Sequence, residues 1–256
     1  EESLTDIDNI KSLTSDLKVS YQKAAYFGSI ERFNNIDYAE AIELFDKSFK
    51  YNFDKHMRAS AIFWKAESYY RLQNYPKAID VYKEYISDPG AISKPELNEV
   101  NYNVGYAYYT LQDYENSTLW FRKFVEFKPL ADPGKLNDAY NRIGDGYFMQ
   151  RDFSSAAENY GLAYKMKLID ADYSLYQKAL VEGLEKKHKE KIADLKLFVN
   201  AFPHSSYILK AKYELALTYL LDNQNEEALS SFLKIVDEYP KSSYINMCLS
   251  KIGLIY

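Results

Sequence analysis

Few side chains in this sequence are suited to making or breaking bonds. The three histidines, His56, His188 and His204, lie far apart, without the spacing that shared metal ligands need. No glycine-rich phosphate loop, His-Glu-x-x-His pair, nucleophile elbow or Cys-x-x-Cys pair is present. Carboxylates are plentiful, with 37 Asp and Glu, yet no pair of them is tied by spacing to acid–base work. Cys248 sits in an apolar helical pattern, where a cysteine packs as a small hydrophobe. The mixed-sign run from Glu185 to Lys191 reads as a solvated turn, or else as a docking spot for an acidic partner. Neither catalysis nor a cofactor or metal is expected. What the chain concentrates is aromatic surface: 26 Tyr and 14 Phe among 256 residues. A tyrosine joins a large apolar body to a polar tip, and such residues dominate binding surfaces.

These rings must be positioned by helices. The stretch KAESYYRLQNYPKAIDVYKEYI, from Lys65 to Ile86, reads as two short helices around the turn Gln73-Asn74-Tyr75. Pro76 opens the second helix, where a missing amide donor costs little. Ala78, Tyr82 and Tyr85 then recur along one helical face. The pattern returns in phase along the chain. Its second-helix anchors are Ala41, Ala78, Ser117, Ala156, Lys191 and Ala228, roughly 35 to 39 residues apart. Asn116-Ser117-Thr118 matches a glycosylation sequon, but Ser117 falls on one of these packing positions.

Small residues at Ala66, Gly105, Gly144 and Ala216 on first helices, aromatics after them, and closing prolines such as Pro129, Pro203 and Pro240 resemble the tetratricopeptide repeat. The resemblance covers nearly everything from Tyr21 onward. It implies an all-α, right-handed α-solenoid of helical hairpins, in which no single unit buries its apolar face alone. Units are expected at about 21–52, 58–90, 97–130, 136–169, 172–203 and 207–240, with the first helix of a seventh at 244–256. Residues 1–20 are expected to form a lead-in helix, with Thr14-Ser15-Asp16 as a break and new N-cap. In the fifth unit Glu182 takes an aromatic place and Lys191 an alanine place, so the two are expected to pair, or Lys191 to snorkel to water.

In the family the first helices line the concave face where ligands lie. The phase puts Tyr26, Phe63, Tyr102, Tyr176 and Tyr213 at one such position, with Asn141 in the fourth unit. Phe33, Tyr70, Tyr109, Phe148 and Leu220 share a second. Glu67, Tyr106 and Asp145 fall between, and Arg71 flanks them. The expected ligand-binding residues are therefore Phe63, Glu67, Tyr70, Arg71, Tyr102, Tyr106, Tyr109, Asp145, Phe148, Tyr176 and Tyr213. The resemblance implies a non-catalytic scaffold whose partner is a protein or peptide, or alternatively a carbohydrate such as peptidoglycan stacked on the tyrosines.

Composition narrows the partners. A formal net charge of -5 argues against nucleic acid, whose binding draws on Lys and Arg at phosphates. No apolar run approaches the roughly 20 residues of a membrane helix. The opening EESLTDID has neither the form of a signal peptide nor a start methionine, so a mature protein or part of a longer chain is expected. The C-terminal stretch Met247–Tyr256 is apolar, and we expect a partner or further chain to cover Leu249, Ile252 and Ile255. AFPHSSY and EYPKSSY are similar to inter-repeat joints of outer-membrane assembly lipoproteins and Tol–Pal-associated periplasmic repeat proteins, and the second half resembles large envelope repeat proteins of Bacteroidota. That likeness implies a periplasmic or outer-membrane-associated protein, joined to a membrane complex through a partner or an N-terminal anchor.

Overall fold

A computed structural model describes residues 12–92, 94, 96–126, 131–168 and 170–256. Among them are thirteen α-helices and no strand. In chain order they are α1 (Ser15–Asn34), α2 (Tyr38–Ser48), α3 (Lys55–Arg71), α4 (Tyr75–Ser87), α5 (Glu96–Thr110), α6 (Tyr114–Glu126) and α7 (Pro133–Met149). There follow α8 (Phe153–Met166), α9 (Ala171–Leu184), α10 (His188–Ala201), α11 (Ile208–Leu221), α12 (Asn225–Glu238) and α13 (Ile245–Ile255). The fold class is all-α, built from the stacked hairpins of a solenoid. The chain divides into two compact units, residues 1–124 and 125–256.

Each hairpin turn is made the same way. The first helix ends in a left-handed residue, at Ile36, Gln73, Gln112, Arg151, Lys186 or Asn223, with φ between 58° and 67°. The next amide then reaches back to a carbonyl of the last helical turn, as in Asn74 N to Tyr69 O at 2.9 Å and Asp152 N to Tyr147 O at 2.9 Å. That same residue caps the second helix: Asp37, Asn74, Asp113 and Asp152 each accept a backbone amide three residues on. In these four turns one left-handed residue followed by one short polar side chain reverses the chain in two residues; in the fifth and sixth, Lys187 and Gln224 hold the capping place without a side-chain cap bond. At the amino end, the Thr14 hydroxyl accepts from Leu17 N, so residues 15–20 are the first turns of α1 itself. Most of the stretch expected as a lead-in helix, residues 1–11, lies outside the described residues, as do residues 127–130.

The core repeats with the turns. Phe45, Tyr82, Phe121, Tyr160, Leu195 and Phe232 occupy one repeat position on the second helices, and all are buried. Each needs a small neighbour on the first helix. A Cβ added to Gly105 would meet the Phe121 ring at 3.0 Å, and one added to Gly144 would meet Tyr160 at 2.7 Å. Ser117 donates its hydroxyl to Gly105 O at 3.0 Å, tying α6 to α5. In the loop after α4, a Cβ at Gly90 would lie 2.1 Å from Lys55 O, so no other residue fits there.

The fifth hairpin departs from the expected arrangement. Glu182 and Lys191 are both buried, but they do not pair with each other. The Glu182 carboxylate takes the Lys178 ammonium at 2.6 Å, and Lys178 also reaches Asp194 at 2.5 Å. Lys191 instead bonds Glu214 of the next hairpin at 2.6 Å. The reason is steric. Lys191 runs its stem past Gly183, where an added Cβ would lie 2.8 Å from its Cδ. The first four hairpins carry a ring at that place, as in Tyr70 or Tyr109, and the sixth carries Leu220, so here glycine plus lysine replaces a large apolar residue plus a small one. Lys191 neither meets Glu182 nor snorkels to water.

Gly144→Ala is expected to lower stability by about 1–3 kcal/mol, because a rigid ring already fills the space. Gly28→Ala, whose nearest neighbour would be a Leu44 methyl at 3.7 Å, should raise it by up to about 1 kcal/mol through helix propensity. Thermal unfolding of the two variants checks both signs. In double-mutant cycles to alanine, Lys191 and Glu214 should couple by about 1 kcal/mol or more. A coupling between Lys191 and Glu182 as large as that would contradict the observed pairing.

Candidate functional site

In the first unit the second helices hold the core, and the first helices α1, α3 and α5 present the expected site residues. Phe63 is buried, its ring meeting Tyr85 at 5.6 Å, Trp64 at 5.3 Å and Tyr82 at 6.3 Å. Tyr102 is half-buried against Phe121 and Phe124, with Tyr106 edge-on at 5.0 Å. The other rings stand further out. Tyr70 meets Tyr75 edge-on at 5.3 Å, and Tyr109 meets Tyr114 at 5.6 Å. Both pairs span the hairpin turn, so the same contact that orients each ring also closes its turn. Tyr106 lies edge-on to Tyr109 at 6.3 Å and to Phe121 at 5.1 Å. Arg71 is exposed one residue beyond Tyr70 and has no ion-pair partner among the described residues.

Glu67 ties three helices together. Its carboxylate accepts a short hydrogen bond from the Tyr82 hydroxyl of α4 and another from Asn103 Nδ2 of α5 at 2.7 Å. Burial pushes its carboxyl above the usual range, and the bonds from Tyr82 and Asn103 and the nearby Arg71 charge restore only part of that. Burial also raises the Tyr82 and Tyr70 hydroxyls, with Glu67 adding to both.

The second unit repeats this tie at the equivalent place. Asp145 accepts from Tyr160 Oη at 2.7 Å, from Tyr173 Oη at 2.5 Å and from Arg142 Nη1 at 2.5 Å. Asp145 is therefore buried and engaged internally rather than offered as an acidic point on an open surface. Tyr176 is buried with its ring stacked on Tyr207 at 5.1 Å, and Tyr213 is buried against Tyr244 at 4.9 Å. Phe148 remains exposed beside Phe153 at 6.0 Å. Of the expected residues, Phe63, Tyr176, Tyr213 and Asp145 support the surface from beneath. Those with exposed or half-exposed side chains are Tyr70, Arg71, Tyr102, Tyr106, Tyr109 and Phe148, with Glu67 between.

Two residues escaped the sequence reading. Phe27 on α1 is 61% exposed, with its ring 5.4 Å from that of Tyr26, and Trp64 on α3 is half-buried against Phe33 at 5.0 Å. Both hold one repeat position, a single residue past Tyr26 and Phe63, and comparing that position across hairpins would have found them. Among the described residues no group of three or more His, Cys, Asp or Glu could hold a metal ion. His56 Nδ1 is 3.1 Å from Gly90 O, a tie between loop and helix. Burial pushes the Cys248 thiol up, away from the thiolate form. No described helix is long and apolar enough to cross a membrane.

The raised carboxyl of Glu67 has a definite sign in a stability profile. The group favours its neutral form when folded, so its contribution is full below its unfolded value of about 4.3 and is lost as pH rises through the folded value. Glu67→Gln keeps an acceptor for Tyr82 and Asn103 without the charge. The variant should therefore gain unfolding temperature relative to the parent between about pH 4 and pH 8. A difference that stays flat or moves the other way would contradict the placement of Glu67.

Family models of the tetratricopeptide repeat match residues 30–92, 99–129 and 210–242. No curated protein matches the chain significantly by sequence. Among solved structures, the apo form of RapI is similar, with 15% identity over 100% of this chain and 77% of that one and a TM-score of 0.59. YrrB, described as a TPR protein with an unusual peptide-binding site, has 17% identity over 77% of this chain and 93% of its own, with a TM-score of 0.58. MamA from Desulfovibrio magneticus has 18% identity over 74% of this chain and 98% of its own, with a TM-score of 0.54. At these identities the structures speak for the fold alone. Together with the repeated turn, the small-residue contacts and the three matched segments, they make this chain a tetratricopeptide-repeat protein.

Proposed function

We propose that the chain is a non-catalytic scaffold that binds a peptide or protein segment on the first helices of its first unit. The observation that carries this reading is the set of half-exposed rings Tyr70 on α3 and Tyr106 and Tyr109 on α5, with Arg71 exposed beside Tyr70 and Phe27 presented on α1. Tyr70 and Tyr109 are held edge-on across their own turns and Tyr106 by Phe121 and Tyr109, so little side-chain freedom is lost on binding. Arg71 supplies a charge suited to a carboxylate on the ligand. Glu67 fixes the spacing of α3, α4 and α5 beneath the rings. YrrB, of the same fold, is described as binding peptide at an unusual site, which supports the class of ligand and not its position here.

Two finer points belong to the same proposal. The rings could equally stack on pyranose faces, so a glycan is the second ligand class to test. Residence in the cell envelope, with attachment to a membrane complex through a partner, rests on the likeness of the AFPHSSY and EYPKSSY joints to envelope repeat proteins.

Pull-down from envelope extract beside a glycan array distinguishes the ligand classes. Arg71→Ala with Tyr109→Ala should weaken binding to the true class about tenfold or more, with helix content unchanged by circular dichroism. Retention of full affinity for both classes would overturn the placement on the first unit.

A further inference from the structure

The fifth hairpin holds a buried excess of negative charge that the aromatic surface does not use. Lys178 of α9 gives its one ammonium to two carboxylates, Glu182 Oε1 at 2.6 Å and Asp194 Oδ2 of α10 at 2.5 Å. The two acids therefore face each other across a single nitrogen. Their side chains are 7% and 18% exposed, so water screens their repulsion poorly. The second oxygen of Glu182, Oε2, is buried and takes no hydrogen bond from any described residue. A buried acceptor left without a donor costs more than a typical hydrogen bond contributes.

The other two buried carboxylates are better supplied. Asp145 accepts from two tyrosine hydroxyls and from Arg142, and Glu67 accepts from Tyr82 and Asn103. Glu182 has only a lysine that it shares with a second acid.

The surrounding helices do not make up the difference. On α10, Lys191 gives its ammonium to Glu214 of α11 at 2.6 Å, Lys187 pairs with Glu185 at 2.9 Å, and Lys189 and Glu190 are exposed. From α8, Gly161 meets the stem of Lys178, where an added Cβ would lie 3.6 Å away. Glu158 and Lys165, about one turn to either side of that glycine, are exposed. The ion pairs joining α9, α10 and α11 thus set Glu182, Asp194 and Glu214 against Lys178 and Lys191 alone.

One proton on Glu182 corrects both faults. It cancels the excess charge, and it makes the carboxyl a donor to Asp194, which lies close enough to accept. Lys178 then stays with Asp194. The Glu182 carboxyl is displaced in that direction: burial pushes it up, the bond from Lys178 restores part, and the Asp194 charge pushes it up again.

We propose that Glu182 and Asp194, set around Lys178, form a proton-binding pair through which the fifth hairpin tightens in mild acid and loosens toward neutral pH. Lys191 and Glu214 bond α10 to α11, so the change is passed to the sixth hairpin. Its stabilisation is full below the unfolded glutamate value of about 4.3 and is lost as pH rises through the folded value. The device uses no residue of the proposed binding surface and is tested apart from it.

The test uses the full chain in the Glu67→Gln background, so that the titration of Glu67 does not enter. Carbon-13 NMR of the glutamate carboxyls, followed between about pH 4 and pH 8, should show Glu182 titrating above the exposed Glu226 and Glu227. Amide protection in α9 and α10, corrected for intrinsic exchange, should be several-fold higher at the acid end of that range. Glu182→Gln should abolish this pH dependence and hold protection near its acid value throughout. Asp194→Asn should bring the Glu182 titration down, and Lys178→Met should carry it further up, a shift that loss of packing alone does not produce. A Glu182 carboxyl that titrates with Glu226 and Glu227 would overturn the proposal. So would a pH dependence of α9 and α10 that survives in Glu182→Gln.

Discussion

The fit of one large side chain against one missing side chain carries this structure. Tyr82, Phe121 and Tyr160 project from second helices into space left by Ala66, Gly105 and Gly144 on first helices, and the ring sits against the backbone itself at the glycines. Close packing of that kind tolerates little change in volume, because interiors have crystal-like density. It also sets the distance between the two helices of a hairpin. The next hairpin then covers what remains, since one pair alone leaves its apolar side open.

Polar ties build on that spacing. Glu67 and Asp145 stand at one repeat position in different units, and each takes a tyrosine hydroxyl from its own second helix and a donor from the first helix of the following hairpin. A buried carboxylate is tolerated because its donors are supplied by helices already held at the right distance. The fifth hairpin solves the same problem with charge. Lys178 lies between Glu182 and Asp194, and Lys191 passes Gly183 to reach Glu214. Neighbouring hairpins are joined there by an ion pair where the others use rings.

The two units share a framework and differ in what their first helices present. The first unit presents Tyr70 and Tyr109, each braced across its own turn, with Arg71 exposed beside Tyr70, while the last hairpins present Leu184 and Leu221. A repeat architecture permits this division, because positions outside the packing set are free to vary without altering the hairpin.

The helical hairpins, their turns and the packing positions were legible in the residues alone. Ala78, Tyr82 and Tyr85 recur at helical spacing, and Asp37, Asn74, Asp113 and Asp152 announce the caps by their chemistry. Such local features depend on neighbours a few residues away, which sequence displays directly. Which rings face outward was not legible. Phe63 and Tyr106 lie about one helical turn apart in the repeat phase, yet one is buried and the other half-exposed. That outcome depends on what the adjacent hairpin brings against each ring. The partner of Lys191 was settled in the same way: the glycine at 183 opened a path for its stem, and the charge waiting at the end belonged to Glu214 on another hairpin. Side-chain type and phase establish which face of a helix a residue occupies, and only the packed neighbour decides whether that face meets protein or solvent.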